Sequence, residues 1–175
     1  MPQKKTHLFG QSDEATNAAG IKVTLANNYY KNSMDRMPRL RYGYTHVYNC
    51  IMDAQDLLTA KDGIANAEIA KKIVSNGASS TCGAQILLEN CYINGIQNAL
   101  NSGNGSSKPG YINAINSVYY MNGEKTELVP KNNSTNEDQS VLITDETTFK
   151  SGLPYNQYIL YNAGKLDTLV KPYAG

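Results

Sequence analysis

The sequence predicts a turn-rich, all-β protein from its composition, and a repeated asparagine suggests a parallel β-helix as one reading of it. Thirteen Tyr against two Phe and no Trp, together with 14 Gly and abundant Asn, favour strands joined by tight turns, because Tyr suits pleated surfaces while Asn and Gly suit turns. Four segments, "VTLANNYYKN", "THVYNCIMDA", "ILLENCYING" and "INAINSVYYMN", share one pattern. Each is a short strand-like run ending at Asn, followed by a small polar residue and two apolar or aromatic ones. Aligning Asn27, Asn49, Asn90 and Asn116 gives spacings of 22, 41 and 26 residues, within the ~20–50 of stacked repeats that bury their apolar faces against the next unit. Two of the spacings suit one coil of a β-helix, where equivalent positions sit ~4.8 Å apart and Asn side chains can bond up a ladder. Asn after a strand is also ordinary turn chemistry in an antiparallel sheet, so the column alone leaves both readings open.

The chain begins at strand-like residues, "KKTHLFGQSD", and passes through "VTLANNYYKN" to "MDRMPRLRYG". After "THVYNCIMDA" the long middle spacing holds a helical stretch, "NAEIAKKIVSNG", with Asn66 as N-cap, Ile69 and Ile73 four apart, Glu68 facing Lys72 and Gly77 as a stop. We read residues 62–76 as an excursion from the stack. Beyond Tyr120, "NGEKTELVPKNNSTNEDQS" is a polar surface wrap, and the end reads as an extended piece and a short helix over Ala163 to Val170 that covers the solenoid. At 175 residues this is one domain, residues 1–175, with its own core.

A net charge of +1 gives no general reason to expect nucleic acid or an anionic membrane as partner. No apolar run approaches the ~20 residues of a membrane span, and "MPQKKTHLFG" lacks the apolar core of a signal peptide. Cys50, Cys82 and Cys91 are too few and too irregularly spaced for a zinc site or a disulfide scaffold. Cys50 and Cys91 share a repeat column and should stack as small buried residues. A coil edge near Leu8 and Val23 with nothing before it is a template for edge-to-edge self-association.

All the arginines, Arg36, Arg39 and Arg41, stand in "DRMPRLR". On a strand Arg39 and Arg41 share a face while Leu40 points to the core, and Arg36, before Pro38, can turn to the same side. The result is a local cationic patch on a near-neutral chain. Together with "KKTHLFGQSD", "NNYYKN" and "GAQILLENCYI", the pattern R-x-P-x-x-R-x-G-x-x-H-x-Y-N, matched by Arg36, Pro38, Arg41, Gly43, His46, Tyr48 and Asn49, resembles the pectate lyase and pectin lyase family.

The resemblance implies a right-handed parallel β-helix with one short inserted helix and a C-terminal helix, and β-elimination in α-1,4-linked galacturonan. It covers the C-terminal half of family members about twice as long. It further implies that Arg36 is the proton-abstracting base and that Lys5 and Arg41 bind the substrate carboxylate, with Arg39 at a variable position. A guanidinium ordinarily keeps its proton to above pH ~12, so base chemistry at an arginine implies an alkaline optimum. Calcium belongs to the full-length parent by resemblance, but its acidic ligands lie mainly upstream and none carries over, so no metal ligand is assigned here. The parent is expected to be secreted and to act on pectin or polygalacturonate, pectate being favoured by the cations. The reading from another class is a carbohydrate-binding β-helix without turnover, distinguished by polymer binding without unsaturated product. His46 reads as a hydrogen-bonded turn or core residue.

Overall fold

The computed structural model describes residues 4–71 and 73–174. The described residues form four coils of three short strands each: β1 (Leu8–Phe9), β2 (Lys22–Ala26) and β3 (Tyr29–Lys31); β4 (Arg39–Arg41), β5 (Tyr44–Tyr48) and β6 (Ile51–Asp53); β7 (Asn76–Thr81), β8 (Gln85–Glu89) and β9 (Tyr92–Asn94); β10 (Asn98–Gly105), β11 (Tyr111–Ile115) and β12 (Val118–Met121). Equivalent strands pair in parallel, giving sheets in the order β1-β4-β7-β10, β2-β5-β8-β11 and β3-β6-β9-β12. This is the expected parallel β-helix. A strand β13 (Glu124–Thr126) folds back antiparallel on β12, and β14 (Lys131–Ser134) extends the first sheet. No described helix is long and apolar enough to cross a membrane.

The asparagine column marks equivalent corners. Asn27, Asn49, Asn90 and Asn116 have φ of 56°, 52°, 50° and 49°, the left-handed conformation that Asn tolerates better than most residues. Three of the corner N–H groups reach the coil above: Asn27 to Tyr48 O, Asn49 to Glu89 O and Asn90 to Ile115 O, each at 3.1 Å. The side-chain ladder has one such rung, Asn49 Nδ2 to Asn27 Oδ1 at 3.2 Å. Above it, Asn49 and Asn90 turn instead to the backbone of the C-terminal segment, bonding Ile159 O, Tyr161 N and Tyr161 O. Cys50 and Cys91, one residue past the corners, are fully buried as expected.

Inward positions alternate along each strand, as a half-buried sheet requires. Val47, Ile86, Leu88 and Ile112 on the second sheet meet Leu40 and Leu100 from the first and Met52 and Ile93 from the third. On the second sheet the outer face is buried too: His46, Leu87 and Glu89 are 1%, 0% and 0% exposed. The cover is a strap running from the short bridge of Leu142 with Tyr111 through α3 (Glu146–Ser151) to Tyr161, with Phe149 buried beneath it. Asp145 caps α3 by accepting from Thr148 N at 2.7 Å.

The chain does leave the stack between β6 and β7, but its helices fall elsewhere than expected. The longer one, α1 (Gln55–Asp62), follows Asp53, whose Oδ1 accepts from Gln55 N at 3.1 Å. The expected helix is only α2 (Ala67–Ala70); its Glu68–Lys72 pair lies outside the described residues. Gly77 stops no helix and sits inside β7, where an added Cβ would be 2.3 Å from Ala99 O. The close approach of β10 demands glycine there. Toward the C-terminal end a 3₁₀ turn over Ala163–Lys165 leads into α4 (Leu166–Leu169); its Leu166 and the capping Val170 that follows it pack on Ile51 of the third sheet.

Candidate active site

The "DRMPRLR" segment forms the corner before the first sheet and then β4. Leu40 is fully buried, so Arg39 and Arg41 project outward from β4. The β1–β4 register sets Leu8 beside Arg39. Backbone bonds from Thr6 N to Asp35 O at 3.2 Å and from His7 N to Arg36 O at 2.9 Å continue that pairing backward, which brings exposed Lys5 alongside the Asp35–Arg36 turn. Lys5 and Arg36 thus stand at the corner that leads into β1 and β4, and Arg41 at the far end of β4.

The three guanidinium groups are held differently. Arg36, with φ of 68°, has its Nε 3.7 Å from Asp35 Oδ2, too far for a hydrogen bond, and that Nε has no hydrogen-bond partner. Arg39 is 9% exposed; one of its terminal nitrogens donates to Asn104 O and to Ser107 Oγ, each at 2.9 Å. Burial, and then the neighbouring Arg41, pull its pKa below the usual arginine range. Arg41 donates from Nε to Asp13 Oδ1 at 2.6 Å and from a terminal nitrogen to Gly10 O at 3.2 Å.

Asp13, Ser107 and Asn104 carry no role in the sequence reading, although Asp13 stands inside "KKTHLFGQSD". Desolvation pushes the Asp13 carboxyl up, but hydrogen bonds from Arg41 and Ser107 outweigh it and hold it below the ordinary value. A cleft of about 450 Å³ opens beside this group, with Asp13, Tyr42, Gly83 and Lys108 among its lining. Cys82 also lines it, its thiol pushed up first by burial and then by Asp13, the reverse of an activated nucleophile.

His46 lies on a different sheet from the arginines. Its Nδ1 is 2.8 Å from Tyr155 Oη and its Nε2 2.7 Å from Glu89 Oε2, under the strap. Glu89 also takes the Lys150 ammonium at 2.6 Å and a hydrogen bond from the Tyr158 hydroxyl. Burial alone would raise the Glu89 carboxyl; His46, Lys150 and Tyr158 bring it down to about 2. Burial and the bond to Glu89 push Tyr158 up to about 12. These groups join strap to stack. Among the described residues no three His, Cys, Asp or Glu side chains are grouped to hold a metal ion, and no step below passes through one.

Comparison with known proteins agrees with this fold. A family model described as pectate lyase matches residues 2–156. Pectate lyase B of Paenibacillus amylolyticus is 44% identical over 104 residues, covering 55% of this chain and 27% of that protein. The pectate trisaccharide-lyase of Bacillus licheniformis is 27% identical over 171 residues, covering 98% of this chain and 39% of its own length. The solved structure of a pectate lyase from Paenibacillus sp. 0602 superposes with a TM-score of 0.76 at 30% identity, covering 95% of this chain and 40% of that one. The chain thus spans 27% to 40% of the length of these relatives.

Proposed function

The chain belongs to the pectate lyase family, and from that premise we propose that it takes part in β-eliminative cleavage of α-1,4-linked galacturonan, pectate being preferred to methyl-esterified pectin. A base removes the proton at C5, the C5–H electron pair forms the C4=C5 double bond, the C4–O bond breaks, and the departing sugar oxygen takes up a proton. The costly species is the carbanion beside a carboxylate. Cations preorganised around that carboxylate lower its energy by about 3 kcal/mol per donor, and arginine suits the role because its planar fork matches a carboxylate.

The observation that supports this reading is the placement of Lys5 and Arg36 at the corner leading into the first sheet, next to β4 with its Arg41, where the Arg36 Nε has no hydrogen-bond partner and only a long ion pair of 3.7 Å to Asp35. Arg36 takes the C5 proton; Arg41 and Lys5 hold the carboxylate. An ionised carboxylate gains more from these cations than a methyl ester does, hence the preference for pectate. The polymer, and so the place of work, lies outside the cell.

The test is to incubate the chain and its Arg36→Lys variant with polygalacturonate and with methylated pectin, each with and without calcium, following the ultraviolet absorbance of the new double bond. Turnover by the native chain and none by Arg36→Lys is expected. Polymer binding without absorbance under any condition would replace the lyase reading with carbohydrate binding.

A further inference from the structure

Asp13 and Arg41 come from segments 28 residues apart, and Ser107 lies 94 residues from Asp13. Their hydrogen bonds nevertheless form one directed chain. Arg39 donates to Ser107 Oγ at 2.9 Å, which leaves the Ser107 hydroxyl proton free to point at Asp13 Oδ1, 2.8 Å away. The same Oδ1 accepts from Arg41 Nε at 2.6 Å. Ser107 is 1% exposed, and the Tyr42 hydroxyl fastens the Asp13 carbonyl, so the carboxylate is held from both its side chain and its backbone. Arg41 then has its Nε edge on Asp13 and one terminal N–H on Gly10 O. Of five N–H groups, those left are at the end of the fork.

We infer that Asp13 is a positioning residue that fixes which edge of Arg41 meets a substrate carboxylate, and that buried Arg39 acts through Ser107 to hold Asp13 in place. This rests on the galacturonan reading for the ligand, but not for the hold itself. Simple Coulomb attraction predicts the opposite effect on binding. Asp13 is a negative charge beside a site for a polyanion, so its removal alone should tighten binding, whereas loss of positioning should weaken it.

The three arginines of the sequence make the hold visible by NMR, since the ¹⁵N-labelled chain has only three Nε–H signals. In the native chain the Arg41 Nε–H should be shifted downfield and protected from exchange; in Asp13→Asn it should move upfield and exchange at least about tenfold faster. Titration with trigalacturonate should show Asp13→Asn binding about tenfold more weakly, the size of a lost charge-assisted hydrogen bond, and Ser107→Ala should change both readouts in the same direction but less. Tighter or unchanged binding, with the Arg41 signal where it was, overturns the inference. If the native chain does not bind trigalacturonate, the galacturonan reading fails, and the Nε–H signal alone decides whether Asp13 orients Arg41. If Asp13→Asn does not fold, Ser107→Ala decides by the same two readouts.

Discussion

Replacing Glu89 by Gln should release the strap, by an amount that depends on pH. The carboxyl is fully buried and is drawn from an ordinary 4.5 to about 2 by His46, Lys150 and Tyr158. Its ionised form therefore favours the folded chain by about 3 kcal/mol at neutral pH. A depressed carboxyl gives nearly all of this above 4.5 and loses it as pH falls toward 2, with roughly half left at pH 3. Gln has the shape of the protonated acid and cannot ionise, so Glu89→Gln should be less stable than the native chain by about 3 kcal/mol at pH 7, by about half of that at pH 3, and scarcely at all near pH 2. Urea unfolding of both proteins, followed by circular dichroism at these pH values, measures the gap. A gap that is the same at every pH would mean that packing, not charge, holds the strap; one below about 1 kcal/mol at pH 7 would refute the reasoning outright.

Three other outcomes are expected. Arg41→Lys, which loses the Nε bond to Asp13, should weaken polygalacturonate binding about tenfold in a titration, whereas Arg36→Lys should abolish turnover with binding changed only a few-fold. Gly43→Ala should cost more than about 1 kcal/mol in denaturant unfolding, because Gly43 has φ of 61° and an added Cβ would lie 2.4 Å from Ile21 O; a neutral result would mean that the corner is soft. The edge formed by β1, β2 and β3, with Leu8 38% exposed, should make the isolated chain self-associate, and a concentration-independent monomer by light scattering would count against this.

The asparagine corners were legible because each one demands a left-handed residue, so a local backbone need appears directly as a residue type. The outward placement of Arg39 and Arg41 on either side of buried Leu40 was legible from the alternation of a strand. The helices were less so. In α1 only Leu58 is buried, too little for an amphipathic pattern, and the apolar residues of the expected helix lead back into the stack at Ser75, which pairs with Gln97. The strap could not be read from the chain: its anchors are single side chains whose partners lie 61 to 131 residues away, Lys150 and Tyr158 on Glu89 and Tyr155 on His46 and Thr24. Asp13 was hidden for the same reason. Nothing near it in sequence signals Ser107.

The excursion that carries α1 and α2 departs after Asp53 and returns at Asn76 without disturbing the pairing of the coils it joins, since Asp53 remains beside Asn94 and Arg39 beside Ser79. Its return runs along the arginine corner, with Asn76 N bonded to Met34 O at 2.8 Å and Met37 N to Gly77 O at 3.1 Å. Doubling the length of a flexible connection costs only about 0.6 kcal/mol in closure entropy. The excursion can therefore lengthen, shorten or change composition over evolutionary time while the strands beneath the arginines keep their register, so that this side of the coil can diverge without refolding the stack.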